Sequence, residues 1–247
     1  PGNPGISAGM PLFVARELGA KRIAIVVSDN DAGRNAIGLI EPLLQAEGVE
    51  VAPVYVADNE ADYAGPITAA GAANADAFVA LVVPQGCIAV ARALDSLNID
   101  VPVASTGLCG DQSVISQVPD LVEGWYIGYA GTPPNAPTGD PEAAYYNDAF
   151  EEYGDPAQAN LSGASGAFGL ALSLWKIGNE IGADNLSVET WTTGIDGFAG
   201  PVLLGARTVS CPGAVFPAVC TNEIRVFQLE GGAPAIDATD GQPFVVG

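Results

Sequence analysis

No histidine occurs anywhere in this chain, and only eight of its 247 residues are Lys or Arg. The first absence removes the commonest general base, the commonest metal ligand and every Ser-His or Cys-His catalytic pair. The second leaves 29 acidic residues largely unbalanced, for a net charge of -21. A surface of that sign repels phosphate backbones, so nucleic acid and anionic membrane are poor partners. Acidity alone is a solubility property and says little about a ligand. Four scattered cysteines without any CxxC spacing do not make a zinc site. No run of about twenty apolar residues is present to span a membrane. Neither an initiator Met nor a signal peptide precedes Pro1, which reads as the start of a mature, trimmed or truncated chain. Neither a metal nor a cofactor is expected.

What is present is an α/β pattern. A hydrophobic fraction of 49% fits a globular protein, and 31 Gly with 19 Pro imply many tight connections. The length allows one large domain or two small ones. Residues 21–56, KRIAIVVSDNDAGRNAIGLIEPLLQAEGVEVAPVYV, carry an apolar run (23–27), an acidic turn (Asp29, Asn30, Asp31, Gly33), a helical stretch and a second β-rich run. That order is one βαβ unit of a doubly wound, Rossmann-like parallel sheet, which binds ligands at the carboxyl ends of its strands. Ile37, Ile40, Leu43 and Leu44 form the helix stripe that packs on the sheet, and Pro42 is expected to kink or shorten the helix.

Further strands are expected at 51–56, 78–83, 101–105 and 124–129, and helices at 9–19, 62–74, 88–97 and 113–117. The strands read as continuous apolar runs, the pattern of burial on both faces. Residues 131–140, GTPPNAPTGD, form a Pro/Gly-rich connector suited to a boundary or hinge. Helices follow at 141–153, with Asp140 as N-cap and Pro141 at N1, at 163–182, and at 187–193. Phe168, Ala171, Leu172, Trp175 and Ile181 are expected on the buried face of the second. GFAGPVLL (197–204) reads as a brief strand, and 224–229 as a final strand of alternating type. The apolar helices after residue 140 need a sheet, yet residues 141–222 supply almost no strands.

An even number of cysteines suits two disulfides and an extracytoplasmic compartment. Cys87 and Cys109 follow neighbouring strands at their carboxyl edge, about the 5–6 Å apart that a disulfide needs. Cys211 and Cys220 bracket a short loop, PGAVFPAV, and can close it. The alternative is four free buried thiols, against which stands the loop position of the second pair.

Taken together, ELGAKRIAIVVSDNDAG (17–33), GCIAVARALDSLNIDVPVASTG (86–107), DLVEGWYIGY (120–129), ASGAFGLALSLWKIGNEIG (164–182) and IDGFAGPVLL (195–204) resemble one family. It is the type I periplasmic-binding-protein fold, specifically the branched-chain amino-acid-type substrate-binding proteins of ABC transporters, and the cysteine pairs resemble those of actinobacterial members. The resemblance implies two lobes. Residues 1–131 with 223–247 would be the second lobe, and 132–222 the closing part of an incomplete first lobe whose opening strands are absent.

It also implies a function: capture of a small polar ligand, an amino acid or related molecule, between two closing lobes, for delivery to an ABC transporter permease. The setting would be extracytoplasmic, in the periplasm or lipid-anchored at the cell surface, and no catalysis would be involved. Second-lobe contacts in such proteins come from the turns after the strands, which points to Asn30, Asp31 and Ala32, to Pro84, Gln85 and Gly86, and to Thr106, Gly107 and Leu108. Asp31 can accept hydrogen bonds from a ligand ammonium or hydroxyl, whereas Gln85 and Thr106 can donate and accept. Asp111 lies near the same rim.

Plainer roles compete. Asp29 and Asp31 can cap the following helix, Thr106 and Gly107 suit a strand exit, and Trp125, Tyr126 and Tyr129 suit a core. Where amino-acid binders of the family carry an aromatic before the Gly of the first turn, this chain has Ala32. The acidic residue that commonly follows strand four also has no clear counterpart at Gly107 or Leu108. A different small polar or partly apolar ligand fits equally. Two other classes compete: a ligand-sensing receptor domain of the same fold, and an enzyme, because Asp29 and Asp31 are similar to the Asp-x-Asp turn of haloacid-dehalogenase-type phosphatases. That chemistry needs a metal and a downstream Lys, and the only lysines are Lys21 and Lys176.

Overall fold

A computed structural model describes residues 2–136, 139–161, 163–211, 213 and 219–246. Its organising element is a mostly parallel sheet, built from β1 (Arg22–Ser28), β2 (Glu50–Val56), β3 (Ala77–Leu81), β4 (Val103–Thr106), β5 (Tyr126–Tyr129), β6 (Glu223–Glu230) and β7 (Ala233–Asp237), with a short β8 (Phe244–Val245) on β6. The strand order is β2-β1-β3-β4-β5-β6-β7. β1 to β5 run parallel, whereas β6 returns antiparallel against β5, with Tyr129 opposite Arg225. The order reverses between β1 and β3, which makes their carboxyl ends the switch point of the sheet.

Helices α1 (Gly2–Arg16), α2 (Asp31–Ala46), α3 (Ala64–Ala69), α4 (Pro84–Ser96) and α5 (Gln112–Ile115) cover the sheet. One apolar layer joins α1 and α2 to Ile23, Ile25, Val27, Val79 and Ala104. The other joins α3 and α4 to Ala24, Val26, Phe78, Ala80 and Ile127. Successive strand residues thus feed opposite layers, as the pleat requires. β2 departs from the expected burial on both faces: most of it is only half-buried, because it is an edge strand.

α2 is not shortened by Pro42. It runs on to Ala46, with Ile37, Ile40 and Leu44 buried. Cys87 and Cys109 form a disulfide with Cα atoms 5.4 Å apart, and Cys211 pairs with Cys220.

Beyond the connector lie α6 (Pro141–Tyr153), α7 (Ala164–Ile181) and α8 (Val188–Asp196). The N-cap of α6 is Asp140, accepting from the Glu142 amide at 2.9 Å, with Pro141 in the first turn. The core here is small: Ala143, Tyr146, Ala159 and Leu204, with Phe150, Phe168 and Leu203 against it.

Two expectations fail in this region. First, α7 buries Gly169, Ser173 and Ile177 rather than the expected stripe, and Trp175 is 70% exposed. The helix is apolar nearly all round, so periodicity does not select its covered face. Second, residues 197–204 form no strand, because Leu204 adopts a φ of +55° and the chain turns back from Val202 to Ala206. The Thr132 amide donates to the Leu204 carbonyl at 2.7 Å and ties the connector to this turn.

Candidate functional site

The site is built by the turns that leave β1, β3 and β4 at the switch-point edge. After β1, Asn30 takes extended backbone angles, and its side chain accepts from the Gly33 amide at 2.9 Å, closing the N-terminus of α2. Asn30 therefore provides the cap expected of Asp29 or Asp31. Asp29 is ion-paired with Arg34, whose guanidinium also lies 4.8 Å from the centre of the Tyr55 ring. Asp31 and Ala32 stand exposed in the first turn of α2. There the helix dipole favours the Asp31 carboxylate.

The far side of this turn is a group that sequence reasoning passed over. The Asn30 amide donates to Asp58 at 3.1 Å from the loop after β2. The buried Ser28 hydroxyl, which among the described residues lacks a partner at full hydrogen-bond geometry, and the Asn30 amide together hold the Asp58 carboxyl below the usual aspartate value. Tyr63, at the end of the same loop, is fully buried; burial first, then the charges of Asp58 and Glu60, push its phenol up. No local motif marks Asp58 or Tyr63, because strand pairing brings Asp58 beside Asn30, and the packing of α3 on α4 brings Tyr63 beside Gly86.

After β3, Pro84 starts α4, Gln85 is exposed, and Gly86 is buried. A methyl on Gly86 would lie 2.6 Å from the Tyr63 hydroxyl and 3.0 Å from Val82, so this glycine provides close packing behind the rim. After β4, Thr106 and Gly107 are buried and Leu108 is exposed. The Thr106 hydroxyl is enclosed without a hydrogen-bond partner among the described residues. Such a buried group pairs with water or a ligand if it is not to cost stability.

Asp111 caps α5 through the Ser113 amide at 2.9 Å. The Tyr129 hydroxyl lies against Gly110 and is raised in pKa by burial, then by the charge of Asp111. Trp125 is core, and Tyr126 packs on Phe13 with ring centres 5.5 Å apart.

The expected residues thus divide. Asn30, Asp31, Ala32 and Gln85 present surface at the rim, whereas Gly86, Thr106 and Gly107 form its packed floor. The rim is acceptor-rich, with Asp29, Asp31 and Asp58, and its cation Arg34 is engaged by Asp29. Among the described residues, no group of three His, Cys, Asp or Glu side chains is placed to hold a metal ion. A depression of about 630 Å³ between Leu94, Asp100, Val101, Asp120 and Trp125 lies at the opposite, amino-terminal edge of the sheet, away from these turns.

A family model described as a periplasmic binding protein matches residues 6–207. Among solved structures, a branched-chain amino acid ABC transporter protein from Thermus thermophilus with bound valine aligns at a TM-score of 0.75 and 16% identity, over 98% of this chain and 65% of that one. A solute-binding protein from R. palustris in complex with 4-hydroxybenzoate aligns at 0.73 and 18%, over 99% and 63%. A type 1 periplasmic binding protein from Bordetella pertussis aligns at 0.69 and 18%, over 99% and 66%. At these identities the likeness is one of fold, and the chain spans less than two thirds of the length of each. No curated protein sequence matches the chain.

Proposed function

The chain belongs to the periplasmic binding protein family, and from that premise we propose that it is the ligand-binding part of an extracytoplasmic solute receptor. It holds a small polar molecule against the β1, β3 and β4 turns without turning it over, and the loaded protein delivers that molecule to an ABC transporter permease. The observation that carries this reading is that the turns after β1, β3 and β4 leave one carboxyl edge of the sheet, presenting Asn30, Asp31 and Gln85 there, while the enclosed Thr106 hydroxyl lacks a hydrogen-bond partner among the described residues.

The disulfides fit an oxidising compartment. Among the described residues, no helix is long and apolar enough to cross a membrane. Residues 1–131 with 223–247 are read as one lobe, and 132–222 as the closing part of the other. The exposed apolar side chains of α7 and α8, Leu170 (58%), Trp175 (70%) and Val188 (86%), are then surface that the opening strands of that lobe would help to cover.

The acceptor-rich rim favours a ligand that brings an ammonium or hydroxyl donor to this lobe. Relatives whose ligands are named hold valine in one case and 4-hydroxybenzoate in another, so both classes belong in the test. A thermal-shift and calorimetric screen of the full-length protein against amino acids, amides, small carboxylates and aromatic acids is expected to show saturable binding without product. Divalent-metal-dependent hydrolysis of a phosphate ester, lost in Asp29→Asn, would instead establish the enzyme.

A further inference from the structure

We propose that the Cys87–Cys109 disulfide is a positioning element of the ligand-facing rim, fixing the β3 and β4 turns to one another so that Gln85, Thr106 and Gly107 move as one body. The inference rests on the functional reading of that rim, but its geometry does not. β3 and β4 pair in parallel through Phe78–Val103, Val79–Ala104 and Ala80–Ser105, and the ladder stops there. The rim begins immediately beyond, where backbone pairing no longer sets the separation of the two chains.

The disulfide spans that gap. Cys87 lies in the first turn of α4, directly after Gly86, and Cys109 three residues after Thr106; both are wholly buried. Two further contacts fix its Cys109 end. The Ser105 hydroxyl is within hydrogen-bond distance of both the Ala80 carbonyl (2.6 Å) and the Cys109 sulfur (2.8 Å), and so links β3, β4 and the bridge. The Cys109 amide donates to the Thr106 carbonyl at 3.0 Å and closes a tight turn over Gly107. By contrast, the β1 turn has no covalent tie and is anchored toward β2: the Asp29 amide donates to the Val56 carbonyl at 2.7 Å and the Asn30 amide to Asp58 at 3.1 Å, beside the Asn30 cap and the Asp29–Arg34 pair. The rim is therefore two pieces: a cross-linked β3/β4 unit and a β1 turn tied to the β2 end instead.

Native-state hydrogen exchange tests this without any ligand. In the oxidised full-length protein, amides in 85–88 and 107–110 are expected to open together, with one dependence on denaturant, and separately from amides in 29–34. Independent opening of the two turns would overturn the proposal. In the double variant Cys87→Ala/Cys109→Ala, exchange is expected to rise at least tenfold in those two segments and to stay within twofold in 29–34. Unchanged exchange, or a uniform rise everywhere, would show that the bridge only stabilises the fold. Should the variant not fold, the wild-type exchange alone decides.

Valine and 4-hydroxybenzoate serve as binding probes. For whichever binds the oxidised protein, affinity is expected to fall at least tenfold in the variant well below its unfolding midpoint, and unchanged affinity would overturn the positioning role. Binding of neither probe refutes the choice of ligand, while the exchange result still decides the clamp.

Discussion

Gly33 is the position where two physical effects of opposite sign can be set against each other. It is the third residue of α2, with helical backbone, so intrinsic propensity predicts that Gly33→Ala stabilises by about 1 kcal/mol. The surroundings predict the reverse. An added methyl would fall well inside van der Waals contact of the Ser28 carbonyl oxygen, 2.9 Å from Val27 Cγ2 and 3.2 Å from the Ser28 carbonyl carbon. Those atoms belong to β1, which is paired on both sides and cannot yield. The start of α2 must move instead, which places the cost at the upper end of overpacking, about 3 kcal/mol.

The shift also breaks the Asn30–Gly33 cap, worth about 1 kcal/mol. The net expectation is a loss of about 3 kcal/mol. With a urea dependence of about 3 kcal/mol/M, that lowers the unfolding midpoint by about 1 M. Gly38 is the control: it lies in the same helix, exposed, with nothing within 4 Å of an added methyl. Gly38→Ala is expected to raise the midpoint by about 0.3 M. Urea unfolding followed by far-ultraviolet circular dichroism reads both. A Gly33→Ala midpoint equal to or above the parent would refute the steric argument.

Three further outcomes are expected. Asp58, held down by the Ser28 hydroxyl and the Asn30 amide, titrates below ordinary aspartates by carboxyl-carbon NMR, and Asn30→Ala moves it upward. Because its folded value is depressed, Asp58 contributes stability above the ordinary aspartate pKa and loses it as pH falls through the folded value, so Asp58→Asn flattens that acid limb. A normal or raised Asp58 value would contradict the hydrogen-bond assignment. Gly86→Ala, which drives a methyl against the Tyr63 hydroxyl and Val82, lowers the urea midpoint, and pairing it with Tyr63→Phe recovers part of the loss. Ser187→Ala removes the capping box of α8, in which the Ser187 hydroxyl accepts from the Thr190 amide at 3.1 Å, at a cost of about 1 kcal/mol read by thermal unfolding.

The sheet was legible where local chemistry and burial agree. The run from Arg22 to Ser28, the acidic turn and the Ile37–Ile40–Leu44 stripe each specify one element, and the same βαβ logic locates the rim. The partner of each polar side chain at that rim was not legible. Asn30 rather than an aspartate caps α2 because the cap is chosen by backbone angle, not by acidity. Asp58 joins the site only through strand pairing between residues far apart in sequence.

Strand β7 was hidden by Pro234, which breaks the expected pattern. It is tolerated because β7 is an edge strand, at a register shift opposite Gln228 and Leu229. The face of α7 was hidden for a different reason: a helix apolar nearly all round carries little local information about which neighbour will cover it.

The antiparallel return of β6 beside β5 has a mechanical consequence. Within the described residues, chain leaves the sheet for the helical body just after Tyr129 and re-enters it just before Glu223, at one corner. Under the proposed division into two lobes, rotation of one against the other would have its fulcrum there, and each turn of the rim would sit on a lever arm set by strand spacing. β4 is one spacing of about 4.8 Å from β5, and β1 is three, about 14 Å. A rotation of about 10° then displaces the Thr106 turn by less than about 1 Å and the Asn30 turn by about 2.5 Å. On that proposal the β4 end of the rim is the fixed jaw and the β1 end the moving one.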